Sequence, residues 1–97
     1  MCLILAQNGY KVEYLKIIEG SFDIYLNGIA TDLKKTVSHN NILDYAKKAI
    51  YRQRAKMVIF EFEKETIHIK EELKILKTKG IPVKYYFSNN VDKITDL

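Results

Sequence analysis

The dipeptide Asn27-Gly28 is the feature that most constrains how this chain can fold. It lies between two arms of alternating apolar residues, in the stretch "SFDIYLNGIATDLKKT" (21–36). Asn-Gly is the preferred centre of a two-residue type I′ turn, because both of its positions need a positive φ. Such a turn fixes the register in which the two arms pair. The stretch therefore predicts a β-hairpin that holds Asp23 directly opposite Asp32 on one face.

The rest of the chain has the periodicity of alternating strands and helices. The run "KMVIFEF" is apolar along nearly its whole length, which suits a central strand covered on both faces. Asn40 and Thr66 have the side chains and positions of helix N-caps. The predicted elements are a short helix before Asn8-Gly9, a strand at 10–18, the hairpin, a helix at 40–55, a strand at 56–62, a helix at 66–80, a strand at 83–87, and a polar tail at 88–97 that frays or adds a short turn.

This order predicts one α/β domain over residues 1–97. The first three strands form an antiparallel meander, and the later strand-helix-strand unit forms a right-handed parallel crossover. The expected result is a small mixed sheet with flanking helices. A chain of 97 residues has room for one hydrophobic core but not for two.

Composition narrows the classes of function. The net charge of +4 favours a polyanionic partner without requiring one. The single cysteine, Cys2, excludes an internal disulfide and a multi-cysteine zinc site. No apolar run approaches the roughly 20 residues of a membrane span. The start "MCLILAQNG" lacks the basic region of a secretory signal, so we expect neither a signal nor a transmembrane segment in this chain.

The two aspartates of the hairpin need an explanation, because like charges opposite each other destabilise a strand pair. At about 5 Å they repel by roughly 3 kcal/mol in a medium of effective dielectric about 20. The side chains could point apart into water, one carboxylate could hold a proton, or a cation could lie between them. Lys34 lies on the same face. Asp on one strand and Asp-x-Lys on the next is an arrangement of metal-dependent phosphodiesterases, whose carboxylates hold a divalent cation while the lysine neutralises developing charge.

Five segments in this order resemble a known family: "AQNGYKVEYL", "FDIYLNG", "ATDLKK", "NNILDYAKKAIYRQRA" and "MVIFEF". Together they are similar to the core of the PD-(D/E)xK nuclease superfamily, and within it to the C-terminal tRNA-cleaving domains of contact-dependent growth inhibition toxins. The resemblance spans residues 6–87. It implies a metal-dependent RNase that prefers tRNA, with zinc or magnesium as cofactor. It also implies a cognate immunity protein and action in the cytoplasm, with delivery as part of a larger secreted toxin.

The resemblance assigns roles to individual residues. Asp23 and Asp32 fall on the metal-ligand positions of the family, and Lys34 falls on the lysine of the D-x-K strand. Lys48, in the basic helix, lies near a position where these toxins carry an active-site lysine. Gln53 matches the glutamine at the end of that helix, with a capping or packing role as an equal alternative.

Further residues are candidates for contacts with nucleic acid. Lys35, Lys47 and Arg52 can join Lys48 in a track for phosphates. The alternative is an ordinary salt-bridged face, since Asp44, Lys48 and Arg52 follow an i, i+4 line. His39, beside Ser38 at the mouth of the site, can touch a phosphate or assist proton transfer, with a plain loop histidine as the alternative. His68 is expected at the surface.

The chain departs from the family in its first helix, which usually supplies a glutamate to the metal. Here that helix is represented by "MCLILAQ", which contains no acid. The expectation is a truncated first helix or a decayed site, unless Glu19, in a loop, substitutes. Two alternatives to the RNase therefore stay open: a DNase on the same scaffold, and a catalytically inactive module that binds nucleic acid or protein.

Overall fold

The computed structural model describes residues 1–14, 22–36 and 39–97. Its strands form one six-stranded sheet in the order β1-β2-β3-β4-β5-β6. The elements are α1 (Cys2–Gln7), β1 (Val12–Tyr14), β2 (Ile24–Leu26), β3 (Ile29–Thr36), a 3₁₀ turn (His39–Asn41), α2 (Ile42–Tyr51), β4 (Met57–Phe62), α3 (Ile67–Thr78), β5 (Val83–Phe87) and β6 (Asn90–Asp96).

The sheet is mixed, as the order of the elements predicts. β1, β2 and β3 form the antiparallel meander. β3, β4 and β5 are parallel, and α2 and α3 connect them. The predicted α/β architecture is therefore confirmed. The predicted first strand, 10–18, is observed as β1 up to Tyr14, and its second half lies outside the described residues.

The hairpin turn forms as Asn-Gly predicts. Asn27 has φ 49° and Gly28 has φ 82°, which are the two positive values that a type I′ turn requires. The turn is also tied to the segment before β1: the Asn27 N–H donates to the Lys11 carbonyl at 2.8 Å, and the Lys11 N–H donates to Asn27 Oδ1 at 2.7 Å. The predicted pairing of Ile24 with Thr31 is observed.

The prediction for the polar tail is wrong. After a turn at residues 88–89, the chain returns as β6 and pairs antiparallel with β5. Without β6, the outer edge of β5 would expose a row of unpaired backbone groups. The apolar side chains of Val91 and Ile94 pack on the core, but a register shift in the pairing with Tyr85 and Phe87 breaks the simple alternation. This irregularity hides the strand from a reading of the sequence.

Two hydrophobic cores lie on opposite faces of the sheet. One lies beneath α2 and α3, and α1 covers the other, with Leu5 fully buried. All six residues of β4 are buried, as a central strand requires. The face of α3 that carries Ile69, Leu73 and Leu76 is also buried. No helix among the described residues is long and apolar enough to cross a membrane.

The ends of the helices confirm one predicted cap and correct the other. Thr66 Oγ1 accepts a hydrogen bond from the Ile69 N–H at 3.2 Å, as an N-cap should. Asn40 does not cap α2, because the 3₁₀ turn precedes the helix and Asn41 takes the cap position without a side-chain bond. α2 ends at Tyr51 instead of residue 55. Arg54 has a left-handed backbone, φ 61°, that turns the chain toward β4.

Candidate active site

Asp32 lies near the middle of β3, on the face of the sheet that α2 and α3 cover. Its parallel pairing with Val58 places it there, since Val58 belongs to the core beneath these helices. The Asp32 side chain is only 1% exposed. The sequence suggested the open face of a hairpin for this residue. The fold covers that face because β3 continues into α2, which packs back onto the sheet.

Lys34 is the charge partner of Asp32. The two residues are two positions apart on one strand, so their side chains share a face. Lys34 Nζ lies 3.1 Å from Asp32 Oδ2, and the Lys34 side chain is 24% exposed. Neither oxygen of Asp32 has a well-aligned hydrogen bond within the described residues. The contact is thus an ion pair that leaves a buried carboxylate with unused acceptor capacity.

Tyr45 of α2 holds the other side of the lysine. Lys34 Nζ lies 5.7 Å from the centroid of the Tyr45 ring, within the range of a cation–π contact. Sequence reasoning missed Tyr45, because nothing in the spacing of α2 shows which strand residue its ring will meet. The lysine is therefore fixed between a buried carboxylate and an aromatic face.

Asp23 precedes β2 and is exposed. The regular ladder ends at the pair Ile24–Thr31, so Asp23 is not the ladder partner of Asp32 that we predicted. Its N–H donates to the Thr31 carbonyl at 3.2 Å, and its carboxylate Oδ2 accepts from the Leu33 N–H at 2.8 Å. The carboxylate thus binds the backbone next to Asp32.

The two carboxylates nevertheless act on each other. The pKa of Asp32 is raised to about 6, mainly by burial and also by hydrogen bonding and charge repulsion from Asp23, whereas the hydrogen bond and the charge of Lys34 act in the opposite direction. A raised pKa of a buried carboxyl beside a second carboxyl is typical of functional sites, although structural ion pairs also cause such shifts.

The residues of this site fit a divalent cation in part. The oxygens of Asp32, which accept no well-aligned hydrogen bond in the described residues, and the neighbouring carboxylate of Asp23 are the oxygen donors that magnesium or zinc accepts. However, residues 1–14, 22–36 and 39–97 contain no group of three histidine, cysteine, aspartate or glutamate side chains that could hold a metal ion. Glu19, the suggested substitute for the missing helix glutamate, lies outside the described residues.

Lys35 belongs to the opposite face. Its neighbour on β4 is Glu61, whose carboxylate oxygen lies 3.6 Å from Lys35 Nζ. Glu61 pairs in turn with Tyr86 of β5, on the face that α1 covers. Burial raises the pKa of the Tyr86 hydroxyl, and the Glu61 carboxylate adds to the shift. Lys35 therefore lies on the face opposite to α2, away from the predicted phosphate track, because adjacent residues on a strand point to opposite faces.

The basic residues of α2 line a surface groove of about 450 Å³, together with one acid and one aromatic residue. The predicted ion pairs along this face do not form: within the described residues, neither Lys48 nor Arg52 lies within 4 Å of a carboxylate oxygen. Lys48 also makes no ion pair with Asp32, so the structure does not bring it to the Asp32–Lys34 pair. The groove is lined by Asp44, Lys47, Lys48, Tyr51 and Arg52.

The remaining candidate residues lie away from the Asp32–Lys34 pair, or their side chains are not among those that the structure describes. Gln53 follows α2, and its Oε1 is buried without a hydrogen-bond partner in the described part of the chain. His68, in the first turn of α3, is exposed as expected, with Nδ1 3.9 Å from a carboxylate oxygen of Glu71. His39 begins the 3₁₀ turn before α2, but its side chain lies outside the description, as does all of Ser38.

Comparison with known proteins identifies a similar fold. No family model matches the chain, and no curated protein matches it. Among solved structures, the fold is similar to a chain of the "CdiA-CT/CdiI toxin and immunity complex from Burkholderia pseudomallei", with a TM-score of 0.66. The two sequences are 17% identical, and the match covers 98% of this chain and 76% of the other. At this identity the match shows the fold alone, which is the fold of a chain in a toxin–immunity complex.

Proposed function

We propose that this chain is the nuclease module of a toxin of the contact-dependent inhibition type, and that it cleaves RNA, preferentially tRNA, with a divalent metal ion. The observation that carries this proposal is the group formed by Asp23, Asp32 and Lys34. A buried carboxylate, whose oxygens accept no well-aligned hydrogen bond in the described residues, lies beside an exposed carboxylate and a largely covered lysine. Such a charge arrangement is expensive for a fold and useful for phosphodiester chemistry.

Each residue of the group has a role in this proposal. Asp23 and Asp32 would hold the cation, which supplies Lewis-acid polarisation of a phosphate oxygen when it is bound. Lys34 reaches the surface from its contact with Asp32, so its ammonium can stabilise the negative charge that the phosphate gathers in the transition state. Tyr45 limits the positions of this ammonium, since its ring lies against it.

The fold and the basic helix support the rest of the proposal. The similar solved structure is a toxin and immunity complex, and we infer that this chain also has a cognate immunity protein. The exposed lysines of α2 and the arginine that follows it suit the phosphates of RNA. They also suit an acidic inhibitor, because complementary charge accelerates association.

A second candidate function is a binding module without catalysis. It is favoured by the absence of a three-ligand metal cluster from the described residues and by the coverage of Asp32, whose side chain is 1% exposed. Such a module would keep the basic face of α2 and would have no use for the buried carboxylate.

One experiment separates these candidates. The purified chain is incubated with total tRNA and with plasmid DNA, in magnesium or zinc, with and without a chelator, beside the Asp32→Asn variant. We expect tRNA cleavage that the chelator and the variant both abolish. Cleavage of DNA alone would replace the RNase by a DNase. Absence of cleavage, together with absence of cation binding in calorimetric titration, would leave the binding module.

The immunity partner has its own test. The product of the adjacent gene is used to capture the chain at low and at high salt. We expect a complex that weakens as salt rises, because screening reduces the attraction between an acidic inhibitor and α2. Failure to capture the chain at either salt concentration would contradict this part of the proposal.

A further inference from the structure

Tyr51, the last residue of α2, has an exposed aromatic ring within the basic groove. The residue is 75% exposed. The groove that it lines also contains Lys47, Lys48 and Arg52. A ring this open to water contributes little to the core and is free to contact a ligand.

The cations around this ring are not neutralised within the described part of the chain. Lys47, Lys48 and Arg52 form no ion pair there, although Asp44 lines the same groove. Three positive charges therefore face one negative charge in the groove. Its net charge favours an anionic ligand, and the open ring favours a ligand with an aromatic surface of its own.

One side of α2 leads from the groove toward the candidate active site. Tyr45, Lys48 and Arg52 follow each other at i, i+3 and i+7, which places them on neighbouring turns of the same side. Tyr45 touches Lys34 at the beginning of this line. At 1.5 Å per residue, the line is roughly 10 Å long. A chain-like anion that follows this line from the groove would reach Lys34.

We propose that the α2 groove binds an unpaired segment of nucleic acid, with a base stacked on Tyr51 and the flanking phosphates on Lys47, Lys48 and Arg52. Bases of a duplex are stacked on each other and cannot offer a free face to the ring, whereas an unpaired base can. The binding surface does not depend on the proposed nuclease function. Only the placing of the bound strand against Lys34 rests on that function.

The test measures binding without cleavage. A labelled single-stranded RNA of about ten nucleotides and the duplex of the same sequence are titrated by fluorescence anisotropy, with a chelator present. Stacking of one base contributes about 1–3 kcal/mol, so Tyr51→Ala should weaken single-strand binding by about fivefold or more. Tyr51→Phe should keep the affinity, and duplex binding should change little in either variant.

The chain offers a matched control for the ring. Tyr14 of β1 is also 75% exposed but is not part of the groove, so Tyr14→Ala should leave RNA binding unchanged. The charges are tested separately with Lys48→Gln and Arg52→Gln. Each loss of a phosphate contact should reduce the salt slope of single-strand binding by roughly 0.7.

The outcomes separate this inference from the proposed function. If Tyr51→Ala binds both RNA forms as wild type does, or loses both equally, the stacking proposal is wrong, whether or not the chain cleaves RNA. Binding of an acidic immunity protein by the groove without any binding of RNA would also overturn it. If single-strand binding depends on Tyr51 in a chain that never cleaves, the nuclease proposal fails while the groove remains a nucleic-acid site.

Discussion

Lys34 Nζ lies 3.1 Å from Asp32 Oδ2, and the side chain of that aspartate is only 1% exposed. The protein has therefore buried a carboxylate beneath a helix with one lysine as its charge partner. Burial of an ion pair seldom stabilises a fold more than well-packed apolar residues do. A fold can retain the free-energy cost of burying this ion pair if the pair serves binding or catalysis. Substitutions of Asp32 and of Asp23 test this explanation.

We expect the metal-free Asp32→Asn variant to gain stability relative to the wild type as the pH rises. The folded-state pKa of Asp32 is about 6, above its ordinary value of 3.8. The folded state thus binds the proton more tightly, so the contribution of Asp32 to stability is present below the ordinary pKa and is lost as the pH rises to about 6. The difference in unfolding free energy between variant and wild type should change by about 2 kcal/mol, in favour of the variant, between pH 4 and 7.

Urea unfolding in the presence of a chelator, at several pH values, measures this difference. A difference that stays constant with pH would mean that Asp32 titrates normally. A change in favour of the wild type would mean that the carboxylate is a structural anion, and the metal hypothesis would lose its main ligand.

We expect Asp23→Asn to be tolerated better than Asp23→Ala. The Asp23 carboxylate accepts from the Leu33 N–H, and an asparagine keeps an oxygen for this bond whereas an alanine does not. Asp23→Ala should therefore be less stable than Asp23→Asn by about 1 kcal/mol. Both variants should lower the pKa of Asp32, because both remove the charge of its neighbour.

Urea unfolding gives the stabilities, and NMR titration of the aspartate carboxyl carbons gives the pKa. Equal stabilities of the two Asp23 variants would show that the bond to Leu33 contributes nothing. A strongly destabilised Asp23→Asn protein would assign this carboxylate to the structure and not to a metal.

We expect Lys34→Ala to reduce the cleavage rate far more than the affinity for RNA. Its charge is of most use where the transition state gathers negative charge. Single-turnover rates and binding isotherms measure the two effects. Lys35→Ala is the matched control, since Lys35 is adjacent in sequence but lies on the opposite face, and it should change the rate little.

The Lys34 experiment needs a check on folding, because the substitution leaves Asp32 buried without its counter-ion. The double variant Asp32→Asn with Lys34→Ala removes both charges, so it should recover stability without recovering cleavage. If Lys34→Ala loses affinity and rate in equal measure, Lys34 is a plain phosphate contact.

We expect Glu61→Gln to leave the binding of divalent cations unchanged. Glu61 is a second buried carboxylate, but it lies on the face that α1 covers, with the sheet between it and Asp32. Calorimetric titration with magnesium or zinc should show the same affinity as wild type, whereas Asp32→Asn should abolish binding. Loss of binding in Glu61→Gln would place the cation on the wrong face for our proposal.

Local features of the sequence were sufficient for much of the fold. Asn27-Gly28 determined the turn, because backbone sterics admit two successive positive φ values at few other dipeptides. The apolar run of β4 and the Thr66 cap of α3 were equally readable, since burial and capping depend on residue type and spacing within one element. The position of Lys34 beside Asp32 also followed from the two-residue period of a strand.

Tertiary structure decided the environment of the candidate site. Alternation along β3 shows that Asp32 and Lys34 share a face, but not that α2 will cover it. That coverage raises the pKa of Asp32 and brings Tyr45 to the lysine. Likewise, the last strand, β6, forms because β5 offers it an edge, although most of its own residues are polar and out of simple alternation. The reason is the same in both cases: burial and edge pairing depend on segments distant in the chain, whose approach no local pattern encodes.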